Sequence, residues 1–403
     1  MSRRLIAAAV IALAFALSAC SAGEVGSVAG AADLDSCVDD AARLGGGPTP
    51  TRIREVSREV ERMRRLRFRT APKARYVRRA ELERRIRRQI TASYPSAEAA
   101  ADTRALVVLG AFPRGTNLKA LLKRALPSQV SGYYDTRKRQ LVVGSGAAKE
   151  LNGIERLTLA HELEHALVDQ ALGLPSFLDD QGTKDGREEV ELAALALVEG
   201  DATLLTEAFA SKHLSIADAF RSIGPLRAAE EEFDKLPHYL QASTIFPYEE
   251  GLEFVCTLYE RGGWRAVDRA YRRLPQTSAQ TLFPERYFAR ELARDAPDPQ
   301  PPGLGWRLIE QQAFGAANLL WLFESPEGKT DRELSDARER AAAWAGGELR
   351  VFSRGGNTVA ALSLVERRGE LDLCASMRTW LKAADRRGTV RCSGRVVRAN
   401  LRS

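Results

Sequence analysis

Two of the four histidines in this 403-residue chain stand four positions apart, in His161-Glu162-Leu163-Glu164-His165. On a helix that spacing sends both imidazoles out from one face, where they can share one zinc ion. Glu162, between them, is placed to reach a water at the ion without ligating it. Zinc lowers the pKa of such a water to about 7, and a carboxylate can then take its proton. A catalytic zinc also needs a third protein ligand. The extension that would supply a third histidine is absent, because Val168 and Ala171 occupy the positions of its glycine and histidine. The other common source is a glutamate on a following helix. Glu199, in Ala196-Leu197-Val198-Glu199-Gly200-Asp201-Ala202, is an acid in an apolar helical run. An unpaired carboxylate is costly there, and metal ligation removes the cost. Glu189 and Glu191, nearer the start of the same run, are the rival third ligands. Asp201 could orient a ligand histidine if the helix bends at Gly200. Tyr248 and Tyr287 are candidate donors to a developing oxyanion. His213 and His238 have no ligand-like spacing.

These residues need helices to hold them, and the periodicity supplies them. Leu157, Leu159, Leu163, Ala166 and Leu167 predict an embedded helix over 154–172, and a second is expected over 187–211. Two short β-prone runs, Gly132–Asp135 and Gln140–Val143, flank a polar four-residue connection and predict a hairpin just ahead of the first helix. Upstream, Ile53, Val56, Val60, Met63 and Leu66 mark a helix, followed by a short apolar step at Arg75-Tyr76-Val77 and helices near 81–90, 95–110 and 117–126. A long helical stretch from about 249 to 273 is interrupted at Gly262-Gly263. Ala296 to Gly305, with four prolines, reads as a boundary. Beyond it helices are expected near 306–323, 331–344 and 371–385, with strands near 348–353 and 358–366 and one more at the end. The fold class is therefore α+β. A mainly helical body over 127–295, with the short hairpin at its edge, follows an Arg-rich helical section over 51–126 and precedes a small α+β domain over 306–403.

His161-Glu162-Leu163-Glu164-His165 followed by Glu199-Gly200-Asp201-Ala202 resembles the gluzincin group of zinc metallopeptidases, which includes thermolysin and the large zinc aminopeptidases. From about residue 50 onward the chain is similar to a family of uncharacterised bacterial lipoproteins of that type. Gly132-Tyr133-Tyr134-Asp135, His161 through Gln170, Ala196 through Thr203, Phe246-Pro247-Tyr248 with Gly251, Gly262-Gly263-Trp264 and Pro284-Glu285-Arg286-Tyr287 carry the likeness. The resemblance implies a zincin-like domain with one Zn2+, His161, His165 and Glu199 as ligands and Glu162 as general base. It also implies a peptide or protein substrate that pairs with the hairpin as an edge strand. Phe283 stands where such relatives often carry a histidine. If that histidine polarises the scissile carbonyl, this chain needs another donor. Two other functions fit the same motif: a zinc amidase acting on cell-wall peptides, and a non-catalytic zinc-binding envelope protein. A structural site has no need of Glu162 as a base.

The N-terminus bears on location. Arg3-Arg4 precedes thirteen uncharged apolar residues, Leu5 to Leu17, and then Leu17-Ser18-Ala19-Cys20. That is the length of a signal-peptide core rather than a transmembrane helix, and it ends in what looks like a lipobox. The expectation is a signal peptide over 1–19, lipid attachment at Cys20, a flexible tether over 20–50, and a chain held at the bacterial cell membrane facing outward. In that compartment the four remaining cysteines can oxidise. Cys374 and Cys392 are the expected pair, while Cys37 and Cys256 stay open between a bond and buried thiols. The net charge of +7 is uneven: residues 51–90 hold 16 Lys or Arg against 5 acids, so the remainder is net negative. For an exported chain, anionic headgroups or envelope polymers are the expected partners of that section, with no nucleic acid. A solvated face of long helices explains the same charge.

Overall fold

The computed structural model describes residues 32–144, 151–175, 187–218, 227, 230–326 and 334–402. Cys20 and the expected signal peptide lie outside them. Among the described residues no helix is long and apolar enough to cross a membrane.

The chain is mixed α+β, a helical body with a small sheet toward its C-terminal end. In order it runs α1 (Leu34–Ala42), α2 (Ile53–Arg64), β1 (Lys73–Val77), α3 (Arg79–Ser93), α4 (Ser96–Val108) and α5 (Leu118–Gln129). Next come β2 (Gly132–Asp135), β3 (Gln140–Gly144), α6 (Gly153–Ala171), α7 (Glu188–His213), α8 (His238–Glu260) and α9 (Trp264–Arg272). Two short helices, α10 (Ser278–Leu282) and α11 (Pro284–Phe288), lead to β4 (Arg307–Ala313), α12 (Ala316–Glu324) and α13 (Ala337–Ala342). The chain ends in β5 (Trp344–Arg354), β6 (Asn357–Glu366), α14 (Leu373–Ala383), β7 (Arg387–Ser393) and β8 (Val396–Arg402).

The hairpin forms where the sequence places it. β2 and β3 pair antiparallel from Gly132↔Val143 to Asp135↔Gln140, and β1 adds in parallel on the far side of β3, leaving β2 at the edge. Gly144 N–H donates to Ser131 C=O at 2.8 Å, so that pair faces β3. Backbone groups alternate along a strand, and Gly132 and Tyr134 therefore direct theirs outward from the sheet. α6 starts at a capping box: Asn152 Oδ1 accepts from Glu155 N–H, and Glu155 accepts from Asn152 N–H, both at 3.0 Å. β2 lies against this helix. A side chain at Gly132 would press on Thr158 and on Val142 C=O, so the strand approaches α6 this closely only with glycine there.

The C-terminal sheet is antiparallel, in the order β4-β5-β6-β8-β7. Three expectations change here. Residues 307–313 form a strand, not the start of a helix, because ten partners along β5 and β6 extend a sheet that captures them despite helix-favouring Leu, Glu, Gln and Ala. The helix expected over 331–344 is confined, among the described residues, to α13, since Trp344 and the two glycines that follow it join β5. The single closing strand is a hairpin, β7–β8. The expected tether also differs: residues 34–42 form α1, whose Cys37 is joined to Cys256 of α8 with Cα atoms 5.8 Å apart. Cys374 and Cys392 are joined as well, at 6.2 Å.

Two apolar cores cut across the boundaries expected at 126 and 296. One gathers α3, α4 and α5 with α12, α14 and the C-terminal sheet; the other gathers α1 and α2 with parts of α6, α7, α8 and α9. The second core carries the histidines. Because a bond across 219 residues restricts the unfolded chain, Cys37→Ser should lower the unfolding free energy by roughly 2–5 kcal/mol, measured by denaturant titration. Non-reduced digests should give Cys37 linked to Cys256 and Cys374 to Cys392. Four free thiols would overturn both pairings.

Candidate metal centre

α6 and α7 pack side by side and place the three expected ligands in one buried spot. His161 Nε2 lies 3.1 Å from Glu199 Oε2, His165 Nε2 lies 3.4 Å from the same oxygen, and the two Nε2 atoms are 3.2 Å apart. These separations are close to the edges of a tetrahedron around an ion with bonds of about 2.0–2.1 Å, roughly 3.4 Å. Among the described residues His161, His165 and Glu199 are the group that could hold a metal ion, and all three are buried. The donor set, two imidazoles and a carboxylate, suits a divalent cation of zinc type and leaves a fourth position open.

The electrostatics agree with the geometry. Burial opposes the charge on Glu199, but the two histidines outweigh it and hold the carboxylate at about 2. Burial likewise opposes a cation on His165, yet Glu199 raises it to about 9. His161 is pushed down by burial. Glu162 is 1% exposed, and burial lifts its carboxyl to about 8. It accepts from the backbone N–H of Tyr134, on the outer edge of β2, while its Oε1 has no hydrogen-bond partner among the described residues.

Two residues that sequence reasoning passed over support this group. Thr206 Oγ1 donates to Ala202 C=O at 2.7 Å and lies 3.3 Å from His161 Nδ1. With its own proton committed, that oxygen accepts from Nδ1–H, which leaves Nε2 as the lone-pair donor toward the ion. The signal was available, since Thr206 follows Glu199 by seven residues, two turns along the same face. The second is Arg64, the last residue of α2 and 0% exposed. It holds Asp201 through two bonds of 3.0 and 2.9 Å, Glu164 at 2.8 Å and Asp268 at 2.7 Å. The Trp264 ring centroid is 4.5 Å from its Cζ, and Tyr271 donates to Asp201 at 2.8 Å. Burial, with the neighbouring Asp201, pushes the Glu164 carboxyl upward, and Arg64 opposes that shift. Glu164 precedes His165 and Asp201 follows Glu199 by two, so one guanidinium ties together the backs of both metal helices.

Asp201 is thereby corrected: it faces Arg64 and Tyr271, not a histidine, because two residues on from Glu199 in a continuous helix it lies on nearly the opposite side of α7. Gly200 serves another purpose. A Cβ there would lie 2.1 Å from Gly251 C=O, and one at Gly251 would lie 2.3 Å from Ala196 C=O, so α7 and α8 meet backbone to backbone. That contact brings Tyr248 of α8 to the site, its ring stacked on His161 with centroids 6.2 Å apart. Tyr287 is corrected too, since its hydroxyl donates to Arg273 C=O at 2.9 Å and its ring packs on Phe254. Phe283 packs beneath the guanidiniums of Arg286 and Arg338. Glu189 accepts from the N–H and hydroxyl of Ser278, and Glu191 is buried apart from the metal group. His213 pairs with Glu59 and His238 with Glu324, each at 2.9 Å.

No family model, curated protein or solved structure matches the chain. The reading of the site therefore rests on its own residues.

The two supporting residues should fail differently. Arg64→Met leaves buried carboxylates without their cation and should cost about 3–5 kcal/mol of stability. Thr206→Val should leave the melting temperature within a few degrees of wild type and weaken zinc binding by roughly 10–100-fold, read by competition with a chelating dye. Unchanged affinity in Thr206→Val would show that the His161 tautomer is set elsewhere.

Proposed function

We propose that this chain is a zinc-dependent peptidase anchored at the outer face of a bacterial membrane. One observation carries the reading: three buried donors converge with ion-sized separations, and a further buried residue, the acid Glu162, stands beside them without joining the group. Structural zinc sites close with four protein ligands. A set of three beside a carboxylate with a free oxygen fits catalysis better.

His161, His165 and Glu199 would hold the ion, which supplies Lewis acidity toward a carbonyl oxygen and makes a water more acidic. Glu162 takes the proton of the attacking water on Oε1, the oxygen with no other partner. It then passes that proton to the leaving amine. Burial, with Glu199 nearby, raises the Glu162 carboxyl above the ordinary carboxylate range, which makes it a stronger proton acceptor than a solvated glutamate. The outer edge of β2 supports a peptide as substrate. Gly132 and Tyr134 present backbone groups away from the sheet, and the Tyr134 N–H already meets Glu162, so an extended chain adding to this edge passes the reacting groups. With Phe283 turned to Arg286 and Arg338, Tyr248 is the aromatic hydroxyl residue packed at the histidines.

The ligand and base roles separate by mutation. His161→Ala, His165→Ala and Glu199→Ala should lose both zinc and cleavage of a mixed peptide library. Glu162→Gln should keep stoichiometric zinc while turnover falls by about 10²–10⁴-fold. If Glu162→Gln cleaves as fast as wild type, Glu162 is not the base; if wild-type protein holds zinc and cleaves nothing, the peptidase reading fails.

The anchor has its own test. With lipid on Cys20, the native protein should sediment with membranes, and Cys20→Ala should appear in the soluble fraction or stall as the unprocessed precursor. Unmodified wild-type protein recovered wholly in the soluble fraction would remove the anchor.

A further inference from the structure

The helix that presents Asp268 to Arg64 and Tyr271 to Asp201 also carries exposed arginines. Arg269 and Arg272 of α9, together with Arg261 and Arg273 at its two ends, line a cavity of about 530 Å³ whose remaining wall includes Tyr287 and Phe288. All four guanidinium-bearing residues are exposed, and no acidic side chain lines the cavity. None of the four forms an ion pair among the described residues, in contrast to Arg84, Arg85, Arg87 and Arg88 of α3, which share Glu81 and Glu83. Like charges that face one cavity without a counter-charge repel one another, and an anion relieves that repulsion.

Two of the four are also held in place. Arg261 Cζ lies 3.6 Å from the Phe288 ring centroid, and Arg273 Cζ lies 4.3 Å from that of Tyr287. A guanidinium stacked on a ring keeps its N–H edges free in its own plane, where they form paired bonds to the oxygens of a phosphate. Such fixed forks lose less freedom on binding than solvated arginines do. Four cations around this volume exceed what one carboxylate would neutralise. Linked phosphates carry the matching charge density.

We infer that this cavity beside α9 binds clustered phosphate groups. The inference is independent of zinc chemistry. The phosphate can come from a soluble polyphosphate or from the headgroups of anionic lipid, and the experiment separates these sources. Binding of tripolyphosphate to the full chain is measured by calorimetry, and retention on phosphatidylglycerol vesicles is compared with retention on phosphatidylcholine vesicles. R269E/R272E reverses two charges that do not stack on a ring. R54E/R58E makes the same change in net charge at exposed positions of α2 and serves as the control. The N-terminal apolar segment is common to all three chains, so differences among them on vesicles report the arginines.

With tripolyphosphate, one site per chain should weaken at least tenfold in R269E/R272E and stay unchanged in R54E/R58E. That outcome supports a soluble source. The same pattern on phosphatidylglycerol alone supports lipid headgroups. Should charge reversal disturb the far-ultraviolet circular dichroism, R269Q/R272Q replaces it and must show a several-fold loss on the same probe. Equal losses in the α9 and α2 variants would mean general charge attraction and overturn the site. No loss in the α9 variant on either probe overturns it as well.

Discussion

The arrangement depends on one buried cation. Arg64 is the counter-charge for carboxylates from three helices, Glu164 of α6, Asp201 of α7 and Asp268 of α9. A carboxylate buried without compensation costs several kcal/mol, so these helices can bury their acids only in the register that brings all three to the same guanidinium. That register also sets the metal group. Glu164 and His165 are adjacent, and Glu199 and Asp201 lie on nearly opposite sides of α7. Fixing one face against Arg64 therefore directs the other toward the histidines.

A second constraint acts at α7 and α8. Gly200 and Gly251 let the two backbones touch, and the Cys37–Cys256 bond ties α8 to α1 further along. α7 is thus held by charge on one side and by close backbone packing on another. Both constraints bear on the segment that contains Glu199. An ion site needs donors placed to a few tenths of an ångström, and rigid helices with locked neighbours provide that better than loops do.

The legible parts of this chain were those with local periodicity. The four-residue spacing of His161 and His165 fixes their common face on any helix, and Glu199 stood out as an acid in an apolar run. The β2–β3 hairpin was marked by its short β-prone runs and polar turn. Arg64 was hidden among sixteen cations over 51–90, although it follows Val60 by four and so lies on the buried stripe of α2 with Val56 and Val60. Charge counting treats those arginines alike, while helical phase separates the one that is buried. The pairing of Cys37 with Cys256 spans 219 residues and has no local signature. β4 was illegible for a related reason: its residues favour a helix, and only a partner strand far along the chain makes it extended. α1 was read as tether because Ala, Gly, Ser and Asp dominate its surroundings, though its burial comes from contacts with α7 and α8.

The charges gathered at the site suit a divalent ion. Burial raises the Glu162 carboxyl and Glu199 raises the His165 imidazole, which favours a proton on each, while the two histidines hold Glu199 ionised. Removing the two protons leaves two carboxylates and two neutral imidazoles, a net charge of −2. A doubly charged cation restores neutrality with all three donors in the form that ligates and Glu162 in the form that accepts a proton. The donor separations define a space for an ion, and a divalent cation balances the charge of the groups around it.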